Sequence, residues 1–156
     1  MSMLVHTLHV VLSGVWLGGV IFTMAVVSPA LKAMKWSETE RVRIRSVIGK
    51  QYAKVGSVNL AMLTLFAVLD GLFTDFGPLL YAEYTLLILL AGLVALHGGY
   101  FGRRLAELAE AERKARVAGA ARAIADERRL LGKQSLWVSL LDLLISVVIA
   151  VLAVNA

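Results

Sequence analysis

The chain contains no cysteine, and no lysine or arginine precedes Lys32. Without cysteine there are no disulfide bonds and no thiolate metal ligands, and the redox compartment cannot be inferred from cysteine usage. A secretory signal peptide opens with a basic segment followed by a short apolar region, and neither feature fits this N-terminus. We therefore interpret the first apolar segment as a retained membrane helix.

Hydrophobic residues make up 59% of the 156 positions, and the mean hydropathy is +0.77. These values exceed those of an ordinary soluble domain. Four segments supply the roughly 20 apolar residues that cross a hydrocarbon core; they lie at about 3–31, 53–74, 79–102 and 135–154. No internal repeat or second domain is visible. The sequence predicts an all-α, single-domain, four-helix bundle in the cell membrane, which is the cytoplasmic membrane if the source is bacterial.

The basic residues are confined to two stretches, Lys32–Lys54 and Arg103–Lys133, which together hold all 16 of them. The connection "TDFGP" between the second and third helices carries only Asp75. Because Lys and Arg near membrane helices stay on the cytoplasmic side, both termini are predicted to lie outside. The net charge of +5 follows from this topology and favours contact with anionic lipid headgroups over nucleic acid.

The two basic stretches have helical patterns of their own. Ser37 and Glu40 stand at capping-box spacing, which predicts a short surface helix that ends near Gly49. Residues 103–133 are rich in Ala, Glu, Arg and Leu, so the third helix is expected to continue into the cytoplasm, with a bend at Gly119 and a stop at Gly132. We interpret this segment as a solvated hairpin rather than a docking platform.

Polar residues recur along one face of each membrane helix, at steps of three and four. They are His6, His9, Ser13, Trp16 and Thr23 on the first helix, Asn59 and Asp70 on the second, Glu83 and His97 on the third, and Ser135, Ser139, Asp142 and Ser146 on the fourth. Polar groups are costly against lipid, so these faces are predicted to line the inside of the bundle.

Four of these side chains are predicted to lie at similar depth near the outer face. The helical rise places His9 ~12 Å outward of the membrane centre, and Asp70 and Glu83 each ~10 Å outward. His6 lies one turn further out. Imidazole and carboxylate ligands suit a divalent ion, and the set His6, His9, Asp70 and Glu83 predicts a metal site, with copper as the leading candidate.

His97 is predicted to lie ~10 Å inward of the centre, too far from His9 for one metal ion to reach both. Asp142 and Asn59 fall nearer its depth, which predicts a second, inner polar group. On the first helix, Gly14 and Gly18 form a small-xxx-small step that predicts close approach of a neighbouring helix.

The stretches "HVVLSGVWLGGVIFTMAVVSPAL", "LDGLF" and "LLILLAGLVALHGGYFGRR" resemble the copper-resistance D family of small membrane proteins and the related J-type protoporphyrinogen oxidase family. The resemblance covers roughly the first 105 residues. It implies that His9 and His97 correspond to histidines near a haem in the J-type family. That family has a lysine early in the third helix, where this chain has Glu83 and Thr85.

Three functions remain open. The first is copper or other metal handling at the outer site. The second is a redox-active b-type haem protein with His9 and His97 near the cofactor. The third is a non-enzymatic accessory subunit of a larger membrane complex or homo-oligomer. No catalytic residue set is predicted, and an absorption spectrum with elemental analysis would separate the three.

Overall fold

A computed structural model describes residues 2–73, 77–115 and 117–155, and the described chain is helical apart from short connections. The elements are α1 (Ser2–Phe22), a π-helical turn (Thr23–Val27), α2 (Ser28–Ala33), α3 (Glu38–Gly71), α4 (Pro78–Leu96), a second π-helical turn (His97–Phe101), α5 (Gly102–Lys114) and α6 (Ala118–Asn155). Four helices are long and apolar enough to cross a membrane. The predicted all-α architecture is confirmed at this level, whereas Asp75 and residue 74, the predicted end of the second span, lie outside the described residues.

The capping box that begins α3 is formed as predicted. The Glu40 backbone N–H donates to Ser37 Oγ, and the Ser37 backbone N–H donates to the Glu40 carboxylate at 2.9 Å. Hydrogen bonds from Ser37 lower the pKa of Glu40. The predicted helix end near Gly49 is wrong, because α3 continues to Gly71. One glycine costs a helix only about 1 kcal/mol, which good helix formers on both sides readily offset.

Residues 103–133 form a helical hairpin, although not with the predicted stop. α4, the π-helical turn and α5 make one continuous helix to Lys114, and Ala115 then takes an extended backbone. α6 begins at Ala118 and continues through Gly132 to Asn155, so the stop predicted at Gly132 is wrong, and the bend predicted at Gly119 lies before that residue, where Ala115 ends the preceding helix. Phe101, Leu108 and Leu131 form a small apolar cluster that packs α5 against α6.

The bundle has two distinct ends because consecutive long helices run antiparallel. α1 packs against α3 on one side and α6 on the other, and α6 also packs against α4 and α5. Ser2 and Asn155 therefore share one end with Gly71, the last residue of α3, and Pro78, the first residue of α4; this end is here called the terminal end. The opposite end carries the described lysines and arginines and is called the basic end.

Apolar side chains occupy both the inside and the outside of the bundle. The buried core consists of Trp16, Val20, Leu60, Leu63, Ala67, Leu87, Leu90, Ile145 and Ile149. Large apolar residues such as Ile88 and Trp137 are exposed on the outer surface. An apolar exterior around an equally apolar core is the arrangement that hydrocarbon surroundings require.

The close helix approach predicted at Gly14 and Gly18 is not made within the described chain. A Cβ added at either glycine would meet nothing within 4 Å. Gly19 faces the neighbouring helix instead, where an added Cβ would lie 2.8 Å from the Tyr52 hydroxyl. The small-residue contact between α1 and α3 is therefore displaced by one residue from the predicted one.

We expect Leu90→Ala to destabilise the bundle by about 2 kcal/mol or more, because it removes packing from a fully buried position. Ile88→Ala, two residues away and 76% exposed, is the matched control and should change stability little. Unfolding of both variants in detergent, followed by circular dichroism, measures the difference. Equal losses would contradict the assignment of inner and outer faces on α4.

Candidate functional site

Two histidines and two carboxylates meet at the terminal end of the bundle. His6 Nδ1 lies 2.8 Å from Asp70 Oδ2, and His9 Nδ1 lies 3.6 Å from the same oxygen. His9 Nε2 lies 2.7 Å from Glu83 Oε1. α1, α3 and α4 thus bring together the four side chains predicted as metal ligands.

These side chains become progressively buried from the bundle surface inward. The His6 side chain is 38% exposed and that of Asp70 is 7% exposed, whereas His9 and Glu83 are 1% and 0% exposed. His6 is therefore the member of the group through which solvent or an ion reaches the others.

The contact between His9 and Glu83 is short, yet it is not an aligned hydrogen bond. Both ring nitrogens of His9 and both carboxylate oxygens of Glu83 are buried without a hydrogen-bond partner. Buried polar groups are normally satisfied, and each exception requires an explanation. A cation, either a proton or a metal ion, placed between the His9 nitrogen and the Glu83 oxygen would provide both atoms with a partner.

Within residues 2–73, 77–115 and 117–155, no three His, Asp or Glu side chains are already arranged to hold a metal ion. His9 instead bridges two carboxylates, Asp70 on one side and Glu83 on the other. A metal ion would therefore have to separate the His9–Glu83 contact before both residues could bind it.

The α3–α4 hairpin that positions the two carboxylates depends on residues that the sequence analysis did not identify. The Tyr84 hydroxyl donates to the backbone carbonyl of Ala67 at 3.1 Å. The same hydroxyl occupies the space that a Cβ on Gly71 would need. Gly71 directly follows Asp70. The presence of a glycine next to a candidate ligand is the feature of the sequence from which this close contact could have been predicted.

The predicted inner group of His97, Asp142 and Asn59 is not assembled. His97 is exposed, and its ring centroid lies 6.3 Å from that of Phe101. The Asn59 amide donates to the backbone carbonyl of Leu12 at 3.3 Å. A π-helical turn begins at His97, and its wider turn changes which residues face inward, so Phe101 is the buried residue there.

Trp16, on the face of the first helix predicted to line the inside of the bundle, is a buried core residue. It also makes a hydrogen bond that the sequence analysis missed: its indole N–H donates to Ser146 Oγ at 2.9 Å. The Ser146 hydroxyl in turn donates to the backbone carbonyl of Asp142 at 2.7 Å. α1 and α6 are thus joined by a polar contact inside an otherwise apolar core.

Comparison with protein-family models, curated proteins and solved structures gives no match to this chain.

We expect the Trp16–Ser146 hydrogen bond to couple α1 and α6 by about 0.6 kcal/mol, the average for interhelical hydrogen bonds in membranes. Trp16→Phe removes the donor and Ser146→Ala removes the acceptor. Unfolding free energies of the two single variants and the double variant form a double-mutant cycle. Strictly additive effects would show that the bond does not contribute.

Proposed function

We propose that the protein binds a divalent transition-metal ion, with copper as the leading candidate, at the terminal end of its bundle and acts in metal handling. His6, His9, Asp70 and Glu83 would hold the ion. The observation that carries the proposal is the position of His9, whose two buried ring nitrogens lie 3.6 Å and 2.7 Å from carboxylate oxygens of two different helices.

The donor set supports this choice chemically. Neutral imidazole nitrogens and carboxylate oxygens suit Cu(II) and Zn(II). A divalent ion would offset the negative charge of Asp70 and Glu83, which are expensive to bury when ionised and uncompensated. The resemblance to the copper-resistance D family favours copper over zinc.

A haem between His9 and His97 is supported less well. The His9 side chain is 1% exposed and enclosed by the bundle. His97 lies beyond the buried part of α4, on an exposed face. This arrangement does not fit one cofactor held by both residues, and we assign no step to haem.

The accessory-subunit hypothesis has one observation in its favour. Gly14 and Gly18 lie on an open face of α1, and such small-xxx-small steps are common where membrane helices associate. This hypothesis requires purified protein that binds neither metal nor haem and that remains attached to a larger complex or to further copies of itself.

The proposed orientation places the terminal end outside and the basic end in the cytoplasm, with the bundle spanning the cell membrane. The concentration of Lys and Arg at the basic end supports this orientation. The metal site would then face the exterior, with the partly exposed His6 at its entrance.

The absence of cysteine allows the orientation to be tested by single-cysteine labelling. In intact cells, Ser2→Cys should react with a membrane-impermeant maleimide, whereas Ala106→Cys on α5 should react only after the cells are opened. The reverse pattern would contradict the proposed topology and place the metal site on the cytoplasmic side.

The metal site is tested by calorimetry of purified protein with Cu(II) and Zn(II). His9→Ala should lower affinity at least tenfold, since even residues behind the ligands contribute ~10 to 100-fold. Glu83→Gln should also weaken binding, because it removes negative charge while keeping the side-chain shape. Binding should weaken as the pH falls, since protons compete for the same ligands.

His97→Ala is the matched control, because it removes a histidine outside the site and should leave affinity unchanged. Circular dichroism should first show that each variant is folded. Equal losses in His9→Ala and His97→Ala would contradict the assignment of the site. No binding by the wild-type protein would rule out the metal function and leave the buried histidine–carboxylate group as a proton-binding structure.

A further inference from the structure

A second polar feature lies along α6 and leads from the basic end toward the middle of the bundle. It consists of Ser135, Ser139, Asp142 and Ser146, here called the α6 polar row. The first three residues are half-buried and Ser146 is buried. The Ser139 hydroxyl donates to the backbone carbonyl of Ser135 at 3.0 Å. Polar character thus continues inward from the basic end as burial increases.

Asp142 is the unsatisfied member of this row. Its Oδ1 is buried without a hydrogen-bond partner, and no described lysine, arginine or histidine forms an ion pair with it. Among the described side chains, Tyr52 of α3 interacts with it electrostatically, and His97, on the π-helical turn that also packs against α6, is exposed. α1 contributes the uncharged Gly19 and Trp16 to this region, and the described hydrogen bonds and ion pairs of α4 bring no charged group to it.

Apolar residues follow the α6 polar row on its terminal-end side. Beyond Ser146 the same face of α6 carries Ile149 and Ala153, each only 1% exposed. Ile149 packs in one core with Leu63 and Leu87, which lie between this row and the histidine–carboxylate site. The row therefore extends to the basic end, and on its terminal-end side it borders apolar core residues together with the neutral Trp16 and Ser13 of α1.

We propose that Asp142 is a proton-binding site reached from the basic end along the α6 polar row. An ionised carboxylate inside the membrane, with one oxygen lacking any donor, is costly. A proton taken from water at the basic end would neutralise the carboxylate and form one O–H bond, with no other bond broken in the protein. This site goes beyond the proposed metal function and does not depend on it.

Infrared spectroscopy of the full-length protein in lipid nanodiscs tests proton binding. In mildly acidic buffer the spectrum should contain a protonated-carboxyl band that shifts in D2O, disappears as the pH is raised, and is lost in Asp142→Asn. Glu83→Gln should retain this component, which separates it from the other buried carboxylate. A carboxyl region that is identical in wild type and Asp142→Asn at every pH would overturn the proposal.

Single-cysteine labelling tests the route by which the proton arrives. Asp142→Cys should react with a membrane-impermeant thiol reagent from the same side of the membrane as Ala106→Cys and not from the other. Leu144→Cys is the matched control, because it lies on the same helix ~3 Å away along its axis but is 61% exposed on the outer, apolar surface. It should not react.

Labelling of Asp142→Cys from the opposite side, or from neither side, would overturn the proposed route. Because the side is defined relative to Ala106→Cys, the result does not depend on which end of the bundle is cytoplasmic. Loss of metal binding would likewise leave this outcome unchanged, so the two proposals fail separately.

Discussion

In a bundle surrounded by hydrocarbon, an imidazole or a carboxylate must find its polar partner inside the bundle. His9 meets this constraint by lying between Asp70 of α3 and Glu83 of α4. One side chain thereby fixes the depth and the rotation of α1 relative to two other helices. His9 can contact both carboxylates only if Asp70 and Glu83 lie close to each other. The Tyr84 hydroxyl, which packs against Gly71 and donates to the backbone carbonyl of Ala67, keeps α3 and α4 close together at this level.

An apolar layer of Leu63, Leu87 and Ile149 occupies the middle of the bundle core. Its side chains lie in the core between the histidine–carboxylate site and the α6 polar row. A continuous polar path through the core would let protons or ions leak across the membrane. Among the described residues of α1 in this part of the core, the buried polar side chains are the uncharged Ser13 and Trp16, and each is hydrogen-bonded.

Hydropathy and helical spacing predicted the four membrane helices and the four side chains that meet at the terminal end. These predictions succeeded because the thickness of a membrane fixes the depth of each residue along its helix. Two residues at the same depth on inward faces, such as His9 and Glu83, are then expected to lie close together. The predictions from hydropathy and spacing failed where a helix boundary or a contact depends on a neighbouring helix, or where an α-helical turn is replaced by a π-helical turn. Gly49 and Gly132 did not end helices, and the spacing could not show that Gly19, rather than Gly18, faces Tyr52. The π-helical turn at His97 shifted the inward face of α4 in a way that regular periodicity cannot anticipate.

The central position of α1 also explains the distribution of charge in the sequence. α1 packs against both α3 and α6, so little of its polar face could reach water. A lysine or arginine on that face would have to be buried with a counter-ion, at a cost of several kcal/mol. Histidine can occupy such a position because it is uncharged without a proton and still provides two nitrogen atoms to neighbouring groups. The buried face of α1 therefore carries His9 rather than a lysine or an arginine, because histidine can provide polar atoms to Asp70 and Glu83 without carrying an obligatory charge.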